Sequence, residues 1–376
     1  MLEPRKIVLI LGNGFDLDLG LKTSYKDFWE SEYCPQEYPA PLIRHLNQRW
    51  KDVINAVKWN DLENELFEYA VNGDKSDVIT EEERAYIKKN SDADLNNQYR
   101  FIGVDDIFKN LADKEIIRGE ESFRIGETAI MYVTLPYRED LSHPIMWRDR
   151  RAFQLIKEGL CAYLNTLNYN NLNEDSMAHD VINLMGFCKD DGHFVDVYSF
   201  NYTKTVVEEY LPLGRIVNHV HGKCSSSIIV GTGDSLAIDK DYDFLLKSYD
   251  RAYNPPSLKQ SLLEADKVIV FGHSMGENDR QYFKAFFKRQ TDYSHSKSKE
   301  ITFFTRNDES EIEIKRALQK MTDGNLSTLF GLNDVHIIKT ENTEENRNAF
   351  SAFRDRVMLY GHPKEEKELQ QRQYRQ

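Results

Sequence analysis

The chain has 376 residues, of which 40% are hydrophobic and 30% charged, a composition that excludes disordered and fibrous proteins. Its formal net charge of −13 disfavours a direct nucleic-acid ligand, because duplex binders present a basic face. The longest apolar runs, residues 7–11 and 268–271, are far shorter than the roughly 20 residues of a membrane span. We therefore expect neither nucleic acid nor a membrane among the direct partners.

The amino-terminal residues and the cysteines both predict a cytoplasmic protein. Residues 1–6 lead directly into an apolar run and show no signal-peptide pattern. The cysteines are far apart and include no CxxC pair, which argues against structural zinc and for a reducing compartment. They stand at Cys34, Cys161, Cys188 and Cys224.

Short apolar runs alternate with helical patterns near both ends of the chain. The first run, residues 6–11, ends at Gly12 and has the continuous apolar character of a buried parallel strand. Strands that alternate with helices predict an α/β fold with a doubly wound parallel sheet. The other predicted strands are residues 194–200, 215–221, 267–271, 300–305 and 335–338, and the predicted helices are 203–211, 278–289, 310–321 and 344–359.

Residues 31–190 have a different pattern and predict a large, mostly helical insertion after the first strand–helix unit. Apolar side chains recur at helical spacing around Leu46 and again around Ile156, with polar sequence between them. We expect this insertion to cap the crevice at the carboxyl ends of the strands. The predicted domains are 1–30 with 191–360 as a nucleotide-binding α/β domain, 31–190 as the insertion, and 361–376 as a charged tail.

A glycine loop follows the first strand. Gly12, Asn13 and Gly14 stand where the chain leaves the strand, and Gly20 follows six residues after Gly14. Glycine lets backbone N–H groups approach a pyrophosphate beside a helix N-terminus, but it also serves simply to bend the chain. Both interpretations stay open here. The spacing disfavours an ordinary dehydrogenase, whose fingerprint has its third glycine three residues after the second.

Asn201 and two histidines follow the next two predicted strands. Asn201 closes the strand of residues 194–200, and His219 and His221 share one face at the end of the following strand. The carboxyl ends of parallel strands carry the sites of α/β proteins. Three interpretations of the histidines remain: metal ligands, which lack further ligands nearby, a general base at His221, or residues that only cap the strand.

The turn after residues 267–271 reads Gly-His-Ser-Met-Gly and satisfies G-x-S-x-G, the nucleophile-elbow pattern of serine hydrolases. In the rival interpretation, Ser274 donates to a phosphate or ribose and Asp279 accepts from sugar hydroxyls. The short pattern recurs by chance and leaves the glycine loop and Asn201 without roles, which favours the rival. The partners of a serine nucleophile, in chain order, would be Asp308 or Asp334 and then His336 or His362.

Together, these segments resemble the AbiH abortive-infection family, a branch of the SIR2-like proteins linked to bacterial anti-phage defence. The matching residues are 12–16, 20–25, 200–203, 219–222 and 271–279, with 59–63 in the insertion. The resemblance implies a SIR2- or Rossmann-like fold that binds NAD across the glycine loop. It also implies an anti-phage function.

The same resemblance implies roles for individual residues. Asn201 would hold the nicotinamide ribose and a reactive water, and His221 would act as the general base on a ribose hydroxyl. No metal is expected. The residues that would bind the nucleotide are Gly12, Asn13, Gly14, Phe15 and Asp16 at the pyrophosphate and ribose, and Ser274 and Asp279 on the adenosine side, with Ser199 and Gly272 beside them.

Departures from the sirtuin pattern narrow the expected activity. Thr203 stands where the Q-N-I-D motif has its Asp, Leu21 and Lys22 replace Ile-Pro, and the paired zinc cysteines are missing. Protein deacetylation is therefore disfavoured, and hydrolysis of NAD to nicotinamide and ADP-ribose fits better. Because a free NADase kills its host, we expect a gate: homo-oligomerisation, an infection signal or a partner protein of the defence system. The alternatives are a serine hydrolase acting through Ser274 and a nucleotide sensor without chemistry.

Overall fold

The computed structural model describes residues 5–53, 62–75, 145–190, 193–203, 217–254, 257–294 and 297–358. The strands in these ranges are β1 (Lys6–Leu11), β2 (Phe194–Ser199), β3 (Asn218–His219), β4 (Gly222–Lys223), β5 (Ser227–Ile228), β6 (Lys267–Phe271), β7 (Glu300–Thr305) and β8 (Asp334–Lys339). Six of them form a parallel sheet in the order β3-β2-β1-β6-β7-β8, and β4 and β5 form a separate antiparallel pair. The predicted α/β fold with a doubly wound parallel sheet is confirmed.

Helices connect the strands and cover both faces of the sheet. Short 3-10 helices also occur at Lys240–Leu245, Lys247–Tyr249 and Glu277–Asp279. The α-helices are α1 (Asn13–Asp18), α2 (Tyr25–Trp29), α3 (Pro41–Val53), α4 (Leu62–Asn72), α5 (Ile145–Asn165), α6 (Met177–Asp190), α7 (Leu258–Glu264), α8 (Arg280–Arg289), α9 (Asp308–Met321), α10 (Leu326–Leu332) and α11 (Glu344–Met358).

Alternate side chains of β1 enter two separate cores, one on each face of the sheet. Ile7, Leu9 and Leu11 pack with α6 and α11 on one face. Val8 and Ile10 pack with α7, α8 and α9 on the other face. A parallel strand that is covered on both faces must be apolar along its whole length, and this requirement explains the continuous apolar run of β1.

The strand order reverses at β1. From β1 the chain adds β2 and then β3 on one side, whereas β6, β7 and β8 follow on the other side. In open α/β sheets, ligands bind outside the carboxyl ends of the strands at such a reversal. The loops that follow β1, β2 and β6 therefore form the edge of the sheet where a ligand-binding site is expected.

The helix α2 and three helices within residues 31–190 form a third core beside the sheet. Side chains from α2, α3, α4 and α5 pack there with residues of the segment 228–245. The buried Asp149 of α5 ties these elements together: it accepts from Leu42 N at 2.8 Å, from the Tyr242 hydroxyl at 3.0 Å, and from the Tyr69 hydroxyl. The last helix of this stretch, α6, packs on the sheet instead.

Sequence and structure differ at an edge strand and at short helices. The predicted strand 215–221 is, in its described part, a strand only at Asn218–His219, because the chain turns over residues 220–221 into β4. α8 begins at Arg280 rather than at residue 278, after a 3-10 turn. α7 and α10 have no counterpart among the predicted helices. The predicted helix 203–211 lies, after its first residue, outside the described residues, as does the tail 361–376.

None of the described helices combines the length and the apolar character that crossing a bilayer requires. No three His, Cys, Asp or Glu side chains in the described ranges are grouped as ligands of a metal ion. The cysteines lie in the described ranges and form no disulfide; Cys34 and Cys188 are buried, and Cys161 and Cys224 are half-buried.

Candidate functional site

The loops after β1 and β6 pack against each other, and their glycines make this possible. Gly12 N–H donates to the Phe271 carbonyl, and Gly14 N–H donates to the Gly272 carbonyl, both at 2.9 Å. A β-carbon on Gly14 would lie 2.7 Å from Gly272 Cα. A β-carbon on Gly272, whose φ is +63°, would lie 2.3 Å from Phe15 N. Side chains at these positions would force the two loops apart.

This packing gives the glycine loop a role beside the expected pyrophosphate contact. The N–H groups of Gly12 and Gly14 are bonded to the neighbouring loop rather than directed at a ligand. Phe15 is buried in the core below the loop. Asn13 is exposed, and its Oδ1 accepts the Thr23 hydroxyl at 2.6 Å. Asn13 is thus the residue of this loop that faces solvent.

Asp16, in the first turn of α1, is buried beside the end of β2. Its Oδ2 accepts the Thr203 hydroxyl at 2.7 Å, and its carboxylate also accepts the side-chain amide of Asn201. Asn201 Nδ2 donates to the Gly12 carbonyl at 3.1 Å, and Asn201 N donates to Ser199 Oγ at 3.2 Å. We name Asp16, Ser199, Asn201 and Thr203 the Asp16 cluster.

The Asp16 cluster fixes the Asn201 amide and shifts the pKa of Asp16. The side-chain nitrogen of Asn201 donates to the Gly12 carbonyl and to the Asp16 carboxylate. A ligand would therefore meet Oδ1, which accepts hydrogen bonds. Burial raises the pKa of Asp16 to about 6, against the lowering effect of the hydrogen bonds from Thr203 and Asn201. At neutral pH, Asp16 is therefore a carboxylate that accepts a proton readily.

His221 lies in a second buried group, which is centred on Asp279. Asp279 Oδ1 contacts His221 Nε2 at 3.0 Å and Lys247 Nζ at 3.0 Å. Asp279 Oδ2 contacts His273 Nε2 at 3.3 Å. Lys247 Nζ also contacts Glu63 Oε2 at 2.8 Å. We name His221, His273, Asp279, Lys247 and Glu63 the His221 cluster.

Burial keeps His221 neutral at pH 7, whereas the charges of Asp279 and Glu63 keep Lys247 protonated. Burial lowers the pKa of His221; Asp279 opposes this change and Lys247 adds to it. Burial also lowers the pKa of Lys247, but the charges of Asp279 and Glu63 raise it above its ordinary value. A neutral His221 that donates from Nε2 to Asp279 has Nδ1 as its acceptor nitrogen.

Asn201 and His221, expected at the same ribose, bond to different partners. Asn201 and Thr203 belong to the Asp16 cluster, whereas the rings of Phe200 and Tyr202 pack against the His221 ring, with centroids 5.2 and 6.3 Å away. The segment 200–203 therefore runs between the two clusters. The structure brings Asn201 and His221 to the same edge of the sheet, in neighbouring groups.

The two residues expected on the adenosine side have different surroundings. Ser274 is exposed on the turn after β6. Asp279 has both carboxylate oxygens in contact with His221, His273 and Lys247. These contacts make Asp279 first of all the residue that orients the His221 cluster, a role that no local sequence pattern reveals.

The described residues around Ser274 do not form a nucleophile elbow. The positive φ angles of this turn belong to Gly272 and Met275 rather than to Ser274, whereas an elbow serine sits at the strained position of its turn. His336 lies two strands away, at the level of Ile269 in the middle of β6. The other histidine in chain order, His362, lies outside the described residues.

Three members of the His221 cluster are not predicted from the sequence as site residues. A lone lysine in a polar stretch carries no signal of burial, yet the Lys247 side chain is only 1% exposed. His273 is held in place because its Nδ1 accepts from Met275 N at 3.0 Å. Glu63 and His273 lie within the segments 59–63 and 271–279, which carry the family resemblance. This resemblance is the feature of the sequence that could have indicated them as site residues.

The fold and the two clusters define an α/β protein with a polar site at the reversal of strand order. Residues 8–299 match the family described as bacteriophage abortive infection AbiH. The chain therefore belongs to the AbiH family, and this membership supports an anti-phage abortive-infection role. No curated protein and no solved structure matches the chain.

Proposed function

We propose that this AbiH-family protein binds NAD at the carboxyl ends of β1, β2 and β6 and hydrolyses it to nicotinamide and ADP-ribose. The observation that carries the proposal is the Asp16 cluster, which sets an oriented amide beside a buried carboxylate at the reversal of strand order. Cleavage of the nicotinamide–ribose bond passes through an oxocarbenium-like state. A nearby carboxylate stabilises such a state, and a held water completes the reaction.

Asn201 and His221 have separate roles in this proposal. The donor end of the Asn201 amide is bonded to Gly12 and Asp16, so its Oδ1 accepts from the reacting water. His221, oriented by Asp279 at 3.0 Å, accepts from a ribose hydroxyl through Nδ1. Groups placed in this way contribute roughly 10²–10⁴-fold to a rate.

The helical core supports the proposal by its position beside the site. Glu63 of α4 contacts Lys247, and Lys247 contacts Asp279 and His221. The helices are therefore linked directly to the groups that would face the nucleotide. Exclusion of bulk water by these helices would protect the oxocarbenium-like state until the held water attacks.

Release of nicotinamide tests the proposal. NAD is added to purified protein and to lysates of phage-infected cells that express it, and the products are separated by chromatography. We expect the wild type to release nicotinamide and ADP-ribose. Asn201→Ala and His221→Ala should release them at a rate at least roughly 100-fold lower. His336→Ala, which changes a half-buried histidine on β8, is the matched control and should retain the wild-type rate.

Absence of nicotinamide under both conditions would overturn the proposal and direct attention to the alternatives. A rise in melting temperature with NAD, without its consumption, would identify a nucleotide sensor. Labelling by a fluorophosphonate that is lost in Ser274→Ala would instead identify a serine hydrolase.

A further inference from the structure

Two carboxylates of the site, Asp16 and Asp279, are held by different kinds of partner. Asp279 faces the Lys247 ammonium at 3.0 Å. Among the described residues, the side chains that donate to Asp16 are those of Thr203 and Asn201, which are both neutral, although Asp16 is only 2% exposed. Burial of a carboxylate without a countercharge is costly, and such groups occur where a proton must be accepted. Asp16 therefore has the properties of a reacting group.

We propose that Asp16 is a catalytic residue that receives the proton of the attacking water, and that the Thr203 hydroxyl relays this proton. The inference rests on the NAD hydrolysis proposed above. The water oxygen bonds to ribose C1′ as the bond from C1′ to the pyridinium nitrogen breaks, and neutral nicotinamide leaves with the electron pair. A water proton passes to Thr203 Oγ1, whose own proton passes to Asp16 Oδ2. Charge balances because the pyridinium loses its positive charge while Asp16 loses its negative charge.

The hydrogen bond of Thr203 sets the direction of the relay. A hydroxyl has one proton to donate and two lone pairs that accept. The Thr203 proton is directed at Asp16 Oδ2 at 2.7 Å, so its lone pairs are the part of the group that receives a proton from water. Asn201, in the same cluster, presents its acceptor Oδ1. The second hydrogen of the same water donates to this oxygen, and the water is held in place.

His221 is the poorer acceptor for this proton. Lys247 Nζ lies 3.3 Å from His221 Nε2, so a second proton on His221 would place two cations side by side. Protonation of Asp16 instead removes a buried negative charge and creates no pair of like charges. This comparison assigns the water proton to Asp16 and leaves His221 to the ribose hydroxyl.

Isosteric variants of the full chain test the relay by steady-state kinetics of nicotinamide release. Asp16→Asn keeps the shape of the side chain but accepts no proton, and we expect kcat to fall roughly 10²–10⁴-fold. Thr203→Val should also lower kcat, while Thr203→Ser, which restores the hydroxyl, should recover most of it. Thr302→Val changes a buried threonine on β7 and serves as the matched control, with wild-type kcat expected.

The pH profile separates a chemical role from a structural one. Wild-type kcat should fall with acid around pH 6, where Asp16 becomes protonated, and Asp16→Asn should lack this limb. Among the described residues, the titratable side chain beside Asp16 is Tyr169. Burial, and then the Asp16 charge, raise the pKa of Tyr169, so Tyr169 does not titrate in this window.

Three outcomes are informative. Loss of kcat and of the acidic limb in a folded Asp16→Asn protein that still binds ADP-ribose supports the relay. Full activity of Asp16→Asn overturns the relay while NAD hydrolysis stands. A wild-type protein that releases no nicotinamide, from infected lysates as well, overturns both.

Discussion

Asp16 is ionised at neutral pH although only 2% of the residue is exposed. Burial raises its pKa in the folded protein from the ordinary 3.8 to about 6. When the pKa of a group is higher in the folded than in the unfolded state, its contribution to the free energy of unfolding is greatest below the unfolded-state pKa. That contribution is lost as the pH rises through the folded-state pKa. For Asp16 that window extends from 3.8 to about 6, and above it the free energy of unfolding is lower by about 3 kcal/mol.

Asp16→Asn should therefore be more stable than the wild type at pH 8, by up to about 3 kcal/mol. The advantage should shrink as the pH falls and disappear at about pH 3 and below, where Asp16 is protonated in both the folded and the unfolded protein. Urea unfolding at the two pH values measures the difference. Asp175→Asn, which removes an exposed carboxylate, controls for the change of net charge. Equal stability of Asp16→Asn and the wild type at pH 8 would show that the carboxylate is solvated.

At the scale of elements, the sequence predicts what local patterns determine and misses what tertiary contacts determine. β1 and β6 are predicted because central parallel strands are continuous apolar runs. α7 and α10 have seven residues each, too few to show a helical period. The glycines of the two loops are visible in the sequence, but their mutual packing depends on the distance between β1 and β6, which no local pattern contains.

This mutual packing predicts that Gly272 cannot be replaced even by alanine. Gly272→Ala would force a residue with a β-carbon to a φ of +63° and bring that carbon within 2.3 Å of Phe15 N. We expect a loss of about 2–5 kcal/mol in the free energy of unfolding, measured by urea denaturation. Gly186→Ala is the matched control: its β-carbon meets no atom within 4 Å, and alanine should stabilise α6 by up to about 1 kcal/mol. Similar stability of both variants would contradict the close approach of the loops.

At the scale of the whole molecule, Lys247 joins three parts of the chain that are distant in sequence. Its ammonium contacts Glu63 of α4 at 2.8 Å and Asp279, which precedes α8, at 3.0 Å. It also lies 3.3 Å from His221. One buried cation thus links the helical core beside the sheet to the edge that carries the proposed site. A change at Lys247 should affect the stability of both.

Lys247→Met tests this link, because methionine fills a similar volume without a charge. The buried Glu63 and the half-buried Asp279 would lose their cation, and breaking a buried pair in this way typically costs about 3–5 kcal/mol. We expect a loss of this size in urea unfolding. Lys288→Met, which breaks a surface pair with Asp323, is the matched control and should change stability little.

The double variant Lys247→Met with Glu63→Gln shows whether the loss comes from the carboxylates. Removing one of the two uncompensated charges should recover part of the stability, so that the two effects are not additive. Strict additivity would mean that the ion pair between Lys247 and Glu63 does not contribute to stability. In that case this ion pair would not be what links the helical core to the edge of the sheet.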